Sequence, residues 1–313
     1  MIPTFTGSTA DQLYADVVRT FRHHAFEELT RNGPALSIPQ PAVLELRNSR
    51  DRVLMNPDRD ANPFFHLMES IWMWAGRNDL EFLYQFNKGM AQFADEGTFN
   101  AAYGFRWRKQ MGFDQLPALR DEICADHGSR QHVLQIWEPV RDRLEKKDKA
   151  CNTQIMFRVG TRGLNMTVIN RSNDVVWGAL GANIVHMTML HELMAISCDL
   201  EMATYRVFSN NLHVYEQHYP LLDEATAADA AVETGATCHP IDFWERTELE
   251  DYLGDAETFC SGGETFINPW FAKVALPMKL AYLDKPNRQK HINSVECKGW
   301  RDAAQAWTDR RTK

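Results

Sequence analysis

The segment CNTQIMFRVGTRGLNMTVINRSNDVV, residues 151–176, decides the fold class of this chain. It contains two runs rich in β-branched and apolar residues, Thr153–Val159 and Leu164–Ile169, on either side of the turn-type residues 160–163. Such runs favour strands, and the glycines at both ends of the short connection permit a tight turn. The segment therefore predicts an antiparallel hairpin.

The hairpin has a consequence for the residues at its open end. If Val159 pairs near Leu164, Cys151 lies beside Arg171 and Ser172. A guanidinium next to a thiol stabilises the thiolate, and the serine adds a hydrogen-bonding group, which together indicate a cysteine nucleophile beside an anion-binding pocket. A buried structural cysteine beside an ordinary polar turn is the alternative that the spacing leaves open.

Helices are predicted to surround these strands. Residues 1–30 show amphipathic spacing, and residues 62–76 begin with an Asn-Pro cap, are apolar on nearly all sides and end at a glycine. Residues 180–198 form a second apolar helical pattern. Further short strands are predicted at Ala42–Leu46, Val53–Met55 and His132–Trp137. Strands interleaved with helices predict an α/β or α+β fold rather than a helical bundle.

Length and composition limit the class of protein. The chain has 313 residues, 44% of them hydrophobic and 24% charged, so a folded core is expected. We predict a single domain over residues 1–313, with residues from about 223 to 313 as a peripheral decoration. The net charge of -8 argues against binding to duplex nucleic acid or to an acidic membrane surface.

The cysteines and the missing motifs narrow the chemistry. Six cysteines are widely spaced without a CxxC pair, which suits reduced thiols in a cytoplasmic protein and gives no indication of a metal site. Neither a signal peptide nor a run of about 18 apolar residues is found, so no membrane span is predicted. Without HExxH, P-loop, GxGxxG or GxSxG motifs, no zinc, triphosphate, dinucleotide or serine-hydrolase site is predicted.

Glu69 is unusual for its position. It falls inside the apolar helix predicted over residues 62–76, where most of its helical neighbours are apolar. Desolvation there would favour the protonated carboxyl and suit the group to proton transfer. A structural carboxylate paired with Arg106 or Arg108 is the alternative.

Several motifs, in their order along the chain, resemble the thymidylate synthase superfamily. The matching segments are ELTRNG (28–33), FADEG (93–97), AAYGFRWR (101–108), SRQHVLQIW (129–137), NRSNDVVWGALGANI (170–184) and LHVY (212–215). Cys151 and Glu69 stand at the positions of the family's nucleophile and catalytic glutamate. The resemblance implies a mixed β-sheet with flanking helices and a homodimer formed through the sheets.

The resemblance also implies a role for each matching residue. Cys151 would attack C6 of a pyrimidine deoxynucleoside monophosphate, while Glu69 and Tyr103 would manage protons. Asp174 and Phe93 would contact the co-substrate 5,10-methylenetetrahydrofolate, and no metal is implied. The nucleotide would be bound by Arg31, Arg171 and Ser172 at the phosphate, by Arg130 from a second subunit, by His213 and Tyr215 at the deoxyribose, and by Asn183 at the base.

The chain departs from thymidylate synthase at several positions. Asn152 replaces a histidine, Gln131 an arginine and Phe93 a tryptophan, and the sequence before Asn183 has one extra residue. The C-terminal residues lack the short apolar end that closes over folate. These departures resemble the bacteriophage deoxynucleotide hydroxymethylases, in which water instead of hydride reaches the methylene at C5.

The implied function is therefore a dUMP 5-hydroxymethylase. An asparagine at position 183 presents a donor and an acceptor together, which suits uracil, whereas an aspartate is expected in a cytosine-specific relative. Three alternatives stay open: thymidylate synthase, a dCMP 5-hydroxymethylase, and a non-catalytic dimer that binds nucleotide or RNA.

Overall fold

The computed structural model describes residues 1–146, 148–222 and 238–312. In these ranges the strands form two mixed sheets, one of six strands and one of four, with helices packed against them. The strands are β1 (Thr4–Gly7), β2 (Phe26–Thr30), β3 (Gly33–Ser37), β4 (Ala42–Leu46), β5 (Val133–Gln135), β6 (Asn152–Gly160), β7 (Gly163–Asn170), β8 (Asn173–Asp174), β9 (Met202–Ser209) and β10 (Leu212–Tyr215). This architecture confirms the predicted mixed α/β class.

The larger sheet has the order β1-β4-β9-β7-β6-β5, and the predicted hairpin lies within it. Strands β6 and β7 pair antiparallel with Val159 opposite Leu164, as predicted from the turn. A bulge between Asn152 and Gln154 shifts the register by one residue at the open end, where the Arg171 N–H donates to the Cys151 carbonyl at 3.0 Å. The hairpin therefore fixes the position of Cys151 against Arg171 through the backbone.

Alternation along the strands gives this sheet one covered and one open face. A row of buried apolar cross-strand neighbours faces the helices: Leu134, Ile155, Val168, Val207, Leu44 and Phe5. The neighbouring row points to the other side and is polar or exposed: Val133, Met156, Thr167, Arg206 and Glu45. Because a strand's side chains alternate between faces, the single chain leaves this second face without covering helices in its described parts.

The helices, numbered in chain order, flank the two sheets. They are α1 (Ala10–Thr20), α2 (Pro63–Trp74), α3 (Leu80–Tyr84), α4 (Tyr103–Phe105), α5 (Gln115–Ala125), α6 (Asn183–Ser197), α7 (Leu249–Cys260), α8 (Leu276–Leu283), α9 (Arg288–Asn293) and α10 (Lys298–Asp309). Short 3-10 or π turns lie at Phe21–His23, Lys88–Phe93, Arg106–Gln110, Arg141–Arg143, Val175–Ala182, Glu216–Leu222, Phe271–Ala275 and Lys285–Asn287.

Two predicted elements near the N-terminus are wrong. The prediction of one helix over residues 1–30 fails at both ends, because β1 pairs with β4 and β2 pairs with β3, which leaves only α1 helical. The predicted strand Val53–Met55 is irregular, since the Asp11 carboxylate accepts hydrogen bonds from the N–H groups of Met55 and Asn56. A side chain thus satisfies backbone donors that a sheet would otherwise have paired.

The two apolar helices form the centre of the molecule and pack on each other. Helix α2 begins as predicted, with proline at its first position. The side-chain oxygen of Asn62 caps it by accepting hydrogen bonds from the backbone N–H groups of Phe64 and Phe65, both at 3.1 Å. It ends before Gly76, which has a φ of 61° that favours glycine. Helix α6 starts at Asn183 rather than at residue 180, because the backbone before it is kinked.

The kink accommodates the extra residue noted before Asn183. Leu180 and Gly181 have non-helical backbone angles near the end of the turn Val175–Ala182, just before α6. A Cβ at Gly181 would lie 2.4 Å from the Val176 carbonyl oxygen, which also accepts a hydrogen bond from Arg59. Glycine is therefore required where the chain folds back on itself, and it sets where Asn183 begins the next helix.

The C-terminal segment contributes buried side chains as well as surface. Residues 223–237, where the predicted decoration begins, lie outside the described residues. Within 238–312, helix α7 contacts α2, and several aromatic residues join the same core. These are Tyr252, Phe259, Trp270, Phe271, Trp300 and Trp307. The division of the chain into one domain and a decoration stays a prediction.

Candidate active site

Cys151 lies at the open end of the hairpin, directly beside the Arg171 guanidinium. Arg171 Nη2 is 3.6 Å from Cys151 Sγ, and the same side chain donates to the carbonyls of Ala150 and Lys149 at 2.8 and 3.1 Å. Burial raises the pKa of the Cys151 thiol, and the positive charge of Arg171 opposes that increase. The geometry predicted from the hairpin is thus confirmed, and the arginine both anchors the segment before the thiol and favours the thiolate.

The four-stranded sheet places a second set of polar groups at the same point. Its order is β2-β3-β10-β8, and β8 pairs parallel with β10, so that Asp174 lies opposite His213. The Asn211 side-chain oxygen accepts hydrogen bonds from Ser172 Oγ at 3.1 Å and His213 Nδ1 at 2.8 Å. Asn211, which the motif comparison did not single out, therefore orients the serine and the histidine together.

The β2–β3 turn supplies the remaining wall of this cavity. Arg31 is exposed in that turn, and Asn32 Nδ2 donates to the Tyr215 hydroxyl at 3.0 Å, which holds the turn against β10. The His213 and Tyr215 rings meet edge to face with centroids 4.9 Å apart. The resulting cavity of about 750 Å³ is lined by Arg31, Trp137, Cys151, Arg171, Ser172, Asp174, Asn211, His213 and Tyr215, among others. Three guanidinium groups, those of Arg31, Arg143 and Arg171, therefore share one opening with a thiol.

A second cavity of about 240 Å³ collects four further predicted residues, Glu69, Phe93, Tyr103 and Asn183. Its remaining lining is mostly apolar and includes Trp72, Leu83, Met90 and Phe99. Glu69 projects from α2 and Asn183 from the first turn of α6, and these two helices pack against each other. The cavity combines an apolar wall with a carboxylate and an amide.

Tyr103 connects the two cavities. Burial raises the pKa of Tyr103, as does its proximity to Cys151, and the backbone N–H groups of Asn152 and Cys151 oppose that increase by hydrogen bonding to the phenol oxygen. A Cβ at Gly104 would lie 2.0 Å from the Met73 carbonyl oxygen, so glycine allows α4 to pack directly on α2. This close packing brings the Tyr103 hydroxyl from the wall of the second cavity to the backbone of the nucleophile.

The side chain that contacts Glu69 in the structure is neither Arg106 nor Arg108, the two arginines named as alternatives from the sequence. Glu69 Oε2 is 3.2 Å from His186 Nε2. Arg106 is fully buried and pairs with Asp142, whereas Arg108 pairs with Asp114 and Glu257. The predicted Arg106 or Arg108 partnership is therefore wrong.

Two predicted residues lie apart from the others. Arg130 lines a separate groove on the open face of the large sheet, together with Met156, Arg158, Thr167 and Arg206. Asp174 borders the first cavity rather than the second, and its Oδ1 accepts from Val176 and Trp177 at 2.6 and 3.1 Å as the cap of the following turn. Asp174 therefore stabilises the start of the following turn, whether or not it also binds a ligand.

Reasoning from the sequence missed His186 and Asp148, which both line the second cavity. Asp148 Oδ2 accepts a hydrogen bond from the Ala101 N–H at 2.8 Å, and burial raises the pKa of this carboxyl. The segment around His186 is mostly apolar, a pattern that favours a core histidine. Its position three residues after Asn183 places both side chains on one face of α6, and that spacing is the signal that could have indicated it.

In the part of the chain that the structure describes, no cluster of three or more His, Cys, Asp or Glu side chains is arranged to hold a metal ion. No helix within the described ranges is long and apolar enough to cross a membrane.

Comparison with known proteins agrees with the site geometry. The sequence model of thymidylate synthase matches residues 12–234, most of the chain and every predicted site residue. The chain belongs to the thymidylate synthase family. Members of this family use methylenetetrahydrofolate to modify a pyrimidine deoxynucleoside monophosphate.

Individual relatives fall into two groups. The chain is 37% identical over 305 residues to the deoxyuridylate hydroxymethyltransferase of Pseudomonas phage M6, covering 90% of this chain and 87% of the relative. It is 36% identical over 229 residues to the deoxyuridylate hydroxymethyltransferase of Bacillus phage SP01, covering 69% of this chain and 60% of the relative. A thymidylate synthase from Fusobacterium nucleatum is 30% identical over 187 residues, covering 57% of this chain and 66% of the relative.

Proposed function

We propose that this enzyme transfers a one-carbon unit from 5,10-methylenetetrahydrofolate to C5 of dUMP and completes the reaction with water, which yields 5-hydroxymethyl-dUMP. The observation that carries the proposal is the position of Cys151 in the first cavity, with Tyr103 of the second cavity close to it. One cavity presents Arg31 and Arg171, and the other presents Glu69 and Asn183. The 37% identity to a deoxyuridylate hydroxymethyltransferase over 90% of the chain supports the choice of product.

The first cavity suits a nucleoside monophosphate. Arg31, Arg171 and Ser172 would bind the phosphate, because guanidinium groups pair with phosphate oxygens through charge-assisted hydrogen bonds. His213 and Tyr215 would bind the deoxyribose hydroxyl. This orientation directs the base toward Cys151, whose thiolate would add to C6 and make C5 nucleophilic.

The second cavity suits a flat heteroaromatic group next to the base. Its apolar wall would contact the pterin of methylenetetrahydrofolate, which supplies the one-carbon unit when bound. Phe93 is the predicted contact in this cavity, whereas Asp174, the other predicted contact, would reach the co-substrate from the first cavity. Asn183 would read the O4 and N3 edge of uracil, while Glu69 and Tyr103 would exchange protons at O4 and C5. Phe93 is 47% exposed at the rim, and such an open rim favours access of water to the methylene.

Product analysis tests this proposal. The protein is incubated with methylenetetrahydrofolate and either dUMP or dCMP, and mass spectrometry identifies the nucleotide product. We expect 5-hydroxymethyl-dUMP as the main product. dTMP as the main product would instead identify a thymidylate synthase, and faster turnover of dCMP would refute the assignment of the base.

Base choice is expected to depend on Asn183. Replacing Asn183 with aspartate should shift kcat/KM from dUMP toward dCMP by about one to two orders of magnitude, because an unpaired buried polar edge costs about 1–3 kcal/mol. The amide accepts from N3–H and donates to O4 of uracil, whereas the carboxyl accepts from the cytosine amino group and, when protonated, donates to N3. Steady-state kinetics with both nucleotides on both proteins measure the shift.

A matched control for this substitution is Asn293→Asp, at an exposed position at the end of α9, away from both cavities and from the open sheet face. It introduces the same charge without touching either cavity, so its ratio of kcat/KM values should equal that of the wild type. A wild-type preference for dCMP, or an unchanged ratio in Asn183→Asp, would show that Asn183 does not read the base.

We also propose that two chains form a homodimer through the open face of the large sheet and that Arg130 serves the partner's phosphate site. The exposed row that includes Val133 and Met156, which are 43% and 36% exposed, supports this surface as an interface. Arg130 borders the same face but does not line the cavity of its own Cys151.

Complementation between inactive chains tests the shared site. Cys151→Ala and Arg130→Ala are each expected to have little activity, and a mixture should regain some, because one site per mixed dimer keeps both residues. Subunit exchange is verified with two affinity tags before turnover is measured. Verified exchange without recovered activity would mean that each chain builds its phosphate site alone.

A further inference from the structure

His186 is a buried imidazole in the second cavity with an unsatisfied nitrogen. The residue is 4% exposed, and its Nε2 lies 3.2 Å from Glu69 Oε2 without the alignment of a hydrogen bond. No other hydrogen-bond partner for that nitrogen is found among the described residues. A buried polar atom left unpaired costs about 1–3 kcal/mol, so such an atom in a cavity points to a bound water or ligand group.

Another imidazole and a carboxylate flank the His186 ring. The His66 ring approaches it edge to face with centroids 6.5 Å apart. Burial, together with the nearby His186 and Arg59, holds the pKa of His66 well below its usual range, so His66 adds no positive charge. Glu69 supplies a carboxylate on the other side, which would stabilise an imidazolium once it forms.

Other polar groups lining this cavity are less suited to accept a proton from water. Burial raises the pKa of Tyr103, which therefore stays protonated near neutral pH. Asp148 Oδ2 already accepts from the Ala101 N–H, and this residue lies on the Cys151 segment rather than on α6 with Asn183. Asn183 is an amide and has no useful basicity. Glu69 and His186 are the two groups whose polar atoms face each other, 3.2 Å apart, with the imidazole nitrogen unpaired.

We propose that His186, acting with Glu69, binds and deprotonates the water that attacks the exocyclic methylene at C5 of the nucleotide. This inference rests on the proposed hydroxymethylase function and assigns a further catalytic residue to it. His186 comes one helical turn after Asn183, which would hold the base, so the water would lie beside the ring position that it attacks.

The proposed step balances without an oxidant or a reductant. The water oxygen forms a bond to the methylene carbon, the methylene π electrons move through C5 onto the C4 carbonyl oxygen, and the water proton passes to His186. Return of those electrons re-forms the C5–C6 double bond and breaks the bond from C6 to Cys151 Sγ. The thiolate that leaves then recovers the proton through Glu69 and His186.

The test follows the fate of the methylene in the wild type and in His186→Gln, whose amide can hold water but cannot accept its proton. Each protein is incubated with dUMP, methylenetetrahydrofolate and 2-mercaptoethanol, which captures methylene that water does not reach. Mass spectrometry measures the ratio of hydroxymethyl to thioether product. We expect this ratio to fall by about 100-fold in His186→Gln, in line with the loss of a general base.

Two further readouts do not depend on the water step. Formation of the covalent adduct with 5-fluoro-dUMP and folate-independent release of bromide from 5-bromo-dUMP both report on Cys151, and both should stay within about threefold of the wild type. His191→Gln is the matched control, since His191 is buried on the same helix, lies 2.7 Å from the Leu164 carbonyl through Nε2 and lines neither cavity. Its product ratio should equal that of the wild type.

An unchanged product ratio in His186→Gln, with the adduct intact, would overturn the assignment. If that variant does not fold, the same ratio is measured in His186→Asn. Loss of the 5-fluoro-dUMP adduct in a folded variant would also overturn it, because His186 would then act in nucleotide binding. A wild type that makes only dTMP or hydroxymethyl-dCMP would instead refute the proposed function, and that result is visible before any variant is compared.

Discussion

Replacing Cys151 with alanine is expected to lower turnover by at least about 10⁴-fold while nucleotide affinity stays within about tenfold of the wild type. Cys151 would supply the covalent bond to C6, without which C5 is not nucleophilic. Arg31 and Arg171 would supply most of the affinity for the nucleotide, and the substitution leaves both in place. Product formation by mass spectrometry and dUMP binding by calorimetry measure the two quantities.

Cys124→Ala is the matched control for this prediction. Cys124 is an exposed cysteine on α5, outside both cavities, so its replacement should leave turnover and affinity unchanged. Turnover above about one percent of the wild-type rate in Cys151→Ala would remove Cys151 from the nucleophile's role.

The substitution with the largest expected effect on stability is Arg106→Leu. Arg106 is fully buried, donates to both oxygens of Asp142, and also donates to the carbonyls of Asn100 and Ile136. Its removal would leave a buried carboxylate and two carbonyls unpaired, so we expect the free energy of unfolding to fall by about 3–5 kcal/mol. Chemical denaturation followed by circular dichroism measures the change.

An exposed ion pair provides the comparison. Arg47 pairs with Glu45 at 3.2 Å and its side chain is 57% exposed, so Arg47→Leu should change stability by no more than about 1 kcal/mol. A similarly small effect of Arg106→Leu would mean that the Arg106 network contributes specificity rather than stability. Because Asn100 also donates to the Asp148 carbonyl, the network connects the core to the wall of the second cavity.

The sequence correctly predicted those elements whose ends are determined by residues next to them in the chain. The glycine-bounded turn determined the hairpin and its register, and the Asn-Pro cap determined the start of α2. That register places Cys151 within one residue of its position beside Arg171, and the bulge between Asn152 and Gln154 supplies the remaining shift. These features depend on residues close in sequence, so they are visible before any tertiary contact is known.

Features that depend on distant residues could not be predicted in this way. His186 follows Glu69 by more than a hundred residues, and Arg106 likewise finds Asp142 across a loop, so neither partner is visible in a local pattern. Strand β2 looked like the end of an amphipathic helix because its identity depends on pairing with β3. The function was predicted from the order of the motifs. The choice of uracil was predicted from Asn183 within those motifs, and the hydroxymethyl product from the departures around the co-substrate.

The burial of Cys151 affects how readily its thiol reacts with other compounds when no nucleotide is bound. A thiol whose pKa is raised by its surroundings stays protonated in the resting protein, and the protonated form reacts slowly with peroxide and alkylating compounds. The nucleophile is therefore sheltered from chemical damage while the site is idle.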